Sequence, residues 1–225
     1  MEILILLISV FVFLYVLHYY VRDDFIILRK NVSVEDIFNM AFFSFIFVFI
    51  FSRSFYVLGN PSPIFLNPLV FLAFPYYPGF SLTGGIFGGA VFLIWYVRRK
   101  KFPGKRMFDF FSVSALWGIA IYLLLSIIIF RKFSLDSLIE GISFAALLVI
   151  FSAVFLPKYL SGKIKDGFIT GIFCISYSLV SIITVFLGRL NASNVLEVVL
   201  LGILFFSGLI FILKEELIPR IKDLK

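Results

Sequence analysis

The sequence predicts an all-α integral membrane protein, a bundle of seven transmembrane helices, and three observations lead to this fold class. First, 62% of the 225 residues are hydrophobic and only 15% are charged, whereas a soluble domain is about 45–50% apolar and about 25% charged. Second, the apolar residues form long runs. Third, the basic residues concentrate in every second connector between those runs. A soluble fold of this size would leave too much apolar surface exposed, because small proteins bury a limited share of their surface.

Each apolar run is close to the length that a transmembrane helix requires, about 20 residues for about 30 Å of hydrocarbon. Helices are favoured over strands because the runs lack a two-residue alternation and a lone strand cannot satisfy its backbone in lipid. The predicted spans are residues 3–21, 37–58, 80–97, 108–130, 137–157, 167–187 and 195–213. The charged residues within these spans lie a turn or two from an end: Arg53, Asp109, Glu140 and Glu197.

The distribution of lysine and arginine predicts the orientation, since the cytoplasmic connectors of membrane proteins carry the excess of positive charge. One set of connectors holds three basic residues, Arg131, Lys132 and Arg189. The alternate set, residues 22–36, 98–107, 157–166 and 214–225, holds sixteen. We therefore expect the N-terminus outside and the C-terminus in the cytoplasm. The net charge of +7 follows from this topology and suits an anionic inner leaflet, so no nucleic-acid partner is predicted.

Residues 1–225 are predicted to form a single domain, since no Gly/Ser-rich linker or charge block separates the helices. The first run lacks the positive start and the small-residue cleavage site of a signal peptide, and we expect it to be a retained helix. The connector 59–79 is unusual, because it holds five prolines and the apolar stretch Leu69–Phe74. Two interpretations stay open: a connector packed on the bundle, and an outer-leaflet lid over a lipid-accessible cavity.

The residues that most soluble enzymes use are scarce in this chain. It has one histidine, His18, and one cysteine, Cys174, without the spacing of histidines, cysteines and carboxylates that is typical of a metal site. We predict neither a metal nor a cofactor. The run Gly84–Gly89 opens a membrane helix and contains two pairs of glycines four residues apart. Such pairs are typical of close helix contact, and this structural interpretation is favoured over a functional one.

Polar residues near the outer ends of the predicted spans form the candidate site. Arg53 lies near the outer end of the second span, Glu140 lies one turn into the fifth, and Arg189 ends the sixth. Residues 83–85 open the third span at the same level. Two arginines with a carboxylate suit a phospholipid phosphate, because a guanidinium group matches phosphate with two parallel hydrogen bonds. The alternative is that both arginines only extend to the membrane interface.

Several segments follow one another in an order that is known from one family of membrane enzymes. They are Asp36–Asn60 with its Arg53-Ser54-Phe55-Tyr56-Val57, then Asn67-Pro68-Leu69, Gly79–Gly85, the basic connector with Asp109-Phe110, Glu140, and Gly171 with Tyr177. In this order they resemble motifs of the prolipoprotein diacylglyceryl transferases, among them Gly-Arg-x-x-Tyr-Val, Asp-Pro-Leu and Gly-Met-Ser-Phe-His-Gly-Gly. The similarity covers roughly residues 36–190, and the topology predicted from the charges agrees with it.

The chain departs from the family pattern at several polar positions. Thr83 stands where the family has a histidine, and the fourth span lacks the family's arginine and asparagine. Ser181 and Val185 replace an arginine and a glutamate, and Arg189 is close to a third family arginine. The scaffold of the family is therefore preserved while most of its polar site is replaced.

The resemblance implies a reaction and its partners. In this family, the diacylglyceryl group of phosphatidylglycerol is transferred to a cysteine thiol in the signal peptide of a prolipoprotein. The implied location is the inner membrane of a prokaryotic cell, as a multi-pass protein. Carried onto this chain, the resemblance implies Glu140 and Tyr177 as catalytic residues. It implies lipid phosphate binding by Arg53, Tyr56, Gly84, Gly85 and Arg189.

Three interpretations of the function stay open. The chain is a divergent transferase rebuilt around Arg53, Glu140 and Tyr177, or a catalytically degenerate protein that binds lipid or signal peptide. The third interpretation is a small transporter, which inverted repeats and broken helices would indicate. Because the histidine and several cationic donors of the family are missing, we expect turnover far slower than that of an intact family member.

Overall fold

The computed structural model of the protein describes residues 2–73, 76–77, 79–131, 133–187 and 194–222. This part of the chain is helical and contains no strand, which confirms the all-α fold class. Its α-helices are α1 Glu2–Arg22, α2 Phe25–Arg29, α3 Val34–Gly59, α4 Pro68–Leu72, α5 Leu82–Lys100, α6 Gly104–Phe130, α7 Leu135–Ile150, α8 Leu156–Leu160, α9 Phe168–Leu187 and α10 Asn194–Lys222. A 3-10 turn, Pro63–Leu66, precedes α4, and a π-helical turn, Phe151–Phe155, joins α7 to α8.

Six helices in the described residues are long and apolar enough to cross a membrane. They are Ile3–Arg22, Val34–Gly59, Gly104–Phe130, Leu135–Leu160, Phe168–Leu187 and Val195–Leu213, and each matches a predicted span within a few residues. The remaining predicted span, 80–97, is helical as well. However, α5 contains Gly84, Gly85, Gly88 and Gly89 and ends in Arg98–Lys100, which lowers its mean hydropathy. The predicted count of seven spans is therefore not confirmed by length and hydropathy.

The helix from Leu135 to Leu160 contains a wider turn near its predicted inner end. Pro157 has no N–H group, so it cannot donate to the carbonyl group one turn before it. The π-helical turn Phe151–Phe155 ends two residues before this proline. A π-helical turn accommodates the interruption without ending the helix.

Glycines let two helix pairs approach each other closely. A Cβ atom at Gly88 of α5 would lie 2.6 Å from the carbonyl oxygen of Phe47 on α3. A Cβ atom at Gly208 of α10 would lie 2.8 Å from the carbonyl oxygen of Gly171 on α9. Small residues at such contacts are typical of transmembrane helices, because lipid removes the hydrophobic driving force between them. The close contact expected of the glycine run 84–89 is thus formed with α3.

An ion-pair network joins helices at their predicted cytoplasmic ends. On α6, Arg106 donates to Asp24 through Nη2 at 2.6 Å and to Asp166 through Nη1 at 2.7 Å. The carbon at the centre of its guanidinium group lies 4.3 Å from the centre of the Tyr159 ring. Asp24 in turn caps α2, since its Oδ1 accepts from the backbone N–H of Ile26. One arginine thereby fixes three connectors of the bundle.

Asp109 is a second fixed point at this end of the molecule. Its carboxylate is fully buried and accepts from the backbone N–H of Gly167 at 2.6 Å and of Thr170 at 2.8 Å. The Thr170 hydroxyl donates to the same carboxylate at 2.7 Å. Because the first N–H groups of a helix lack internal partners, Asp109 on α6 caps the start of α9.

Candidate functional site

Arg53 lies in the last two turns of α3 and is fully buried. Its Nε donates to the carbonyl oxygen of Phe71 at 3.1 Å, and its Nη1 donates to that of Gly79 at 2.7 Å. No acidic side chain in the described part of the chain forms an ion pair with it, and its buried Nη2 has no hydrogen-bond partner there. A buried charge without a counter-charge is costly unless it is hydrogen-bonded. The site therefore holds a cation with unused hydrogen-bonding capacity.

The segment between α3 and α5 covers Arg53. The amide oxygen of Asn67 caps α4 by accepting from the N–H of Leu69 at 2.9 Å, and this short helix presents the Phe71 carbonyl group to the guanidinium. Aromatic rings complete the enclosure, with ring centres 5.2–5.8 Å from the guanidinium carbon: Tyr56, Phe65 and Phe80. Of the two interpretations of the connector 59–79, its described residues match a segment packed on the bundle. The interpretation as a lid over a lipid-accessible cavity stays a prediction.

Gly79 is required at its position for two reasons. Its φ angle is +141°, a backbone conformation that favours glycine. In addition, a Cβ atom there would lie 2.1 Å from the ring of Tyr56. Since Gly79 also supplies the carbonyl oxygen that Arg53 Nη1 contacts, one glycine positions both Tyr56 and Arg53.

A pair of serines joins α3 to the start of α5. The Ser52 hydroxyl donates to the carbonyl oxygen of Ser81 at 2.8 Å, and the Ser81 N–H donates to the Ser52 carbonyl oxygen at 3.1 Å. Ser81 also caps α5, accepting from the N–H of Gly84 at its hydroxyl and from that of Gly85 at its carbonyl oxygen. Both glycines are buried against α3. Their N–H groups are used in this cap. Lipid phosphate binding by Gly84 and Gly85 stays a prediction.

A second polar cluster lies between α5, α7, α9 and α10. Thr83 and Tyr177 are 0% and 2% exposed, and their hydroxyl oxygens lie 3.1 Å apart. The Thr83 hydroxyl donates to Oε1 of Glu197 over a long distance of 3.4 Å. Tyr177 is also hydrogen-bonded to Ser181, and it interacts electrostatically with Glu140 and Glu197. Four helices thus bring hydroxyl groups and two carboxylates together.

The predicted site residues are divided between the surroundings of Arg53 and the second cluster. Glu140 interacts electrostatically with Tyr177, whereas Arg53 forms no hydrogen bond or ion pair with either in the described residues. Arg189 lies outside the residues that the structure describes. Glu197 was not predicted as a site residue. The signal that pointed to it was its position as a charged residue inside a predicted span, which is costly and often functional.

The second cluster lies well below the predicted outer end of α9. Tyr177 precedes the end of α9 at Leu187 by ten residues, about 15 Å along the helix axis. Its partner Thr83 is the second residue of α5. The start of α5 is therefore level with the middle of α9.

The amino-acid sequence was compared with models of known protein families. A family model described as prolipoprotein diacylglyceryl transferase matches residues 3–123, more than half of the chain. The match contains Arg53, Tyr56 and residues 83–85, and it ends before Glu140, Tyr177 and Glu197. Among curated proteins, none matches the chain significantly.

Proposed function

The chain belongs to the prolipoprotein diacylglyceryl transferase family, and we propose that it transfers a diacylglyceryl group from phosphatidylglycerol to the thiol of a cysteine in a prolipoprotein signal peptide. The observation that carries this proposal is the buried guanidinium of Arg53 with its unused Nη2. A cation of this kind suits the phosphate of an anionic phospholipid, and a guanidinium group binds phosphate through two parallel hydrogen bonds.

Each part of the reaction has a candidate group. The thiol loses its proton, its sulfur forms a bond to the terminal glycerol carbon of the diacylglyceryl group, and the bond from that carbon to the phosphate oxygen breaks. Glycerol phosphate leaves with the bonding electrons. Arg53, with Arg189 as a second cation, stabilises the charge on the departing phosphate. Tyr56 lines the phosphate site, and Gly84 and Gly85 hold α5 against it.

Glu140 and Tyr177 belong to the acid–base part of the proposed site. Both lie in the second cluster, in which Tyr177 is buried and hydrogen-bonded and Glu140 is half-buried. A carboxylate within reach of the thiol can take up its proton, which is the step that the family histidine would otherwise support. Thr83, at the position of that histidine, is itself no base.

The proposed arrangement in the membrane has seven spans. In it, α5 is the additional span, the N-terminus is outside, and the C-terminus is in the cytoplasm of a prokaryotic cell. This orientation rests on the contrast between three and sixteen basic residues in alternate connectors. It places Arg53 and the second cluster toward the outer leaflet and the Arg106 network at the inner surface.

A second candidate function is binding of lipid or signal peptide without turnover. Thr83 and Ser181, which stand at the positions of a family histidine and arginine, are both hydrogen-bonded to Tyr177. Hydroxyl groups therefore occupy positions where the family has an ionisable base and a cation. Loss of one such electrostatic donor lowers the rate about 10²–10³-fold. The two candidates therefore differ in whether slow transfer occurs or no transfer occurs.

A transfer assay separates these candidates. Purified protein is incubated with phosphatidylglycerol and a lipobox peptide, and release of glycerol phosphate and the mass of the peptide are measured. We expect slow formation of the diacylglyceryl thioether, far below the rate of an intact family member, and no rescue of cells depleted of that enzyme. Arg53→Ala is expected to abolish the slow transfer, whereas Arg99→Ala, an exposed arginine at the other end of the bundle, is expected to preserve it.

Other outcomes have a clear meaning. If lipid and peptide bind but no thioether forms at any enzyme concentration, the chain is a binding protein. Transfer that persists in Arg53→Ala would contradict the phosphate role of this arginine. Full rescue of depleted cells would contradict the expectation of slow turnover.

A further inference from the structure

The hydrogen bonds of the second cluster have one direction. A hydroxyl group carries a single hydrogen, and Thr83 gives its hydrogen to Glu197. The Thr83 oxygen must then accept from Tyr177, whose hydroxyl oxygen lies 3.1 Å away. Because Tyr177 has thereby used its single hydrogen, Ser181 must be the donor in the hydrogen bond between Ser181 and Tyr177. Three hydroxyl groups on α9 and α5 therefore form a chain that ends on the Glu197 carboxylate. Within this series of hydrogen bonds, the Glu197 carboxylate only accepts a hydrogen bond and donates none.

Burial distinguishes the residue that can meet a substrate from those that cannot. Thr83, Tyr177 and Ser181 are buried. Glu197 lies in the first turn of α10 and is half-buried, so part of its side chain is accessible. Glu140 on α7 is half-buried as well, but its contact with this cluster is electrostatic.

From these contacts we propose that Glu197 is the catalytic residue that accepts the proton of the acceptor thiol, with Thr83, Tyr177 and Ser181 as positioning residues. The inference rests on the proposed transferase function. In the step, the S–H bond breaks and the proton moves to a Glu197 oxygen. The sulfur then attacks the glycerol carbon and glycerol phosphate leaves, as described above. A carboxylate on α10 thereby supplies the base that is missing at Thr83.

Glu140 has a supporting role in this assignment. The two carboxylates interact electrostatically, so a negative charge on Glu140 lies near the proposed base. Glu197 interacts with Thr83 from α5, Tyr177 from α9 and Glu140 from α7. Asp136, one turn before Glu140, adds a further negative charge on α7.

The test compares transfer rates across a pH range for the unaltered protein, Glu197→Gln and Glu35→Gln. Glu35 is an exposed glutamate at the start of α3, at the end of this helix opposite to Arg53, and serves as the matched control. We expect Glu197→Gln to lower transfer near neutral pH by about 10²-fold or more, the usual contribution of a general base. The loss is expected to shrink as the pH approaches 9, because a thiol with a pKa of about 8.5 then ionises without help. A merely structural residue would not produce this change in the pH profile.

Further measurements keep the inference separate from the proposed function. Retention of phosphatidylglycerol and the elution volume in size-exclusion chromatography are expected to be unchanged in Glu197→Gln, and Glu197→Asp is expected to recover part of the rate with the original pH profile. Thr83→Val is expected to cause a smaller loss than Glu197→Gln. Equal rates of Glu197→Gln and the unaltered protein, or a loss that is constant with pH, would overturn the role of Glu197 while leaving the transferase function in place. Absence of transfer by the unaltered protein would overturn both.

Discussion

At the scale of single residues, Arg53 is held by carbonyl oxygens and aromatic rings instead of a carboxylate. Its two hydrogen bonds come from the segment that covers it, through Phe71 and Gly79. A carboxylate partner would compete with an incoming phosphate, whereas neutral carbonyl groups leave the net charge of the site positive. The enclosure is therefore compatible with an anionic ligand.

The first prediction concerns lipid retention. Arg53→Leu is expected to reduce the phosphatidylglycerol that co-purifies with the protein, because the variant lacks the buried cation that would hold the phosphate. Lipid is extracted from the purified protein and quantified by mass spectrometry. Arg99→Leu removes an exposed arginine that stacks on Trp95 at the other end of α5 and is expected to retain the lipid. Equal retention by both variants would leave Arg53 as a structural residue only.

The second prediction concerns Asp109. Asp109→Asn replaces one acceptor oxygen with an NH₂ group that would face the N–H of Gly167 or Thr170, so at least one buried hydrogen bond is lost. We expect a loss of about 1–3 kcal/mol in the free energy of unfolding, measured by thermal unfolding in detergent. Asp23→Asn, at an exposed pair with Arg22, is expected to have little effect. A similar unfolding temperature for both variants would contradict the capping role of Asp109.

At the scale of helices, the contact between α3 and α5 depends on the glycine face of α5. The third prediction is that Gly88→Ala destabilises the protein by about 1–3 kcal/mol, because the added methyl group would meet the Phe47 carbonyl and the Phe51 side chain at 2.6 Å. Gly202→Ala in α10, where nothing lies within 4 Å of an added Cβ, is the matched control. Thermal unfolding of the two variants measures the difference, and equal midpoints would contradict a tight contact.

The helices of this protein could be predicted from the sequence, because the membrane imposes a length and a composition on each span. The glycine pairs of α5 also predicted close packing correctly, since they have few other uses in a membrane helix. The direction of this packing could not be predicted. Whether Gly84 and Gly85 face α3 or a ligand depends on the rotation of α5, which the Ser52–Ser81 contact sets and the sequence does not show.

Site residues were harder to predict than helices for a physical reason. The family pattern placed Arg53, Glu140 and Tyr177 in one site, and in the described residues Arg53 forms no hydrogen bond or ion pair with the other two, so a single site stays a prediction. Glu197 belongs to the last helix, far from Thr83 in sequence, and only the packing of α10 beside α5 brings them together. A contact across 114 residues has no local signature.

At the scale of the whole molecule, the fourth prediction concerns orientation. A reporter that is active only in the cytoplasm is expected to be active when fused after Lys225 and silent when inserted within 59–79. The reason is the excess of basic residues in the connectors that would share the side of the C-terminus. Activity in the reverse pattern would contradict the orientation, and activity at both positions would contradict an odd number of spans between the two reporter positions.

The late start of α5 has a consequence for the bilayer itself. Its apolar part, Leu82–Val97, holds sixteen residues and extends about 24 Å, less than the roughly 30 Å of hydrocarbon in a typical bilayer. If α5 crosses the bilayer as proposed, thinning of the lipid beside it would relieve this hydrophobic mismatch. Phospholipid headgroups and water would then lie closer to the level of Arg53 and Glu197. In the proposed transfer, the released glycerol phosphate would reach the outer aqueous phase without crossing a full leaflet of hydrocarbon.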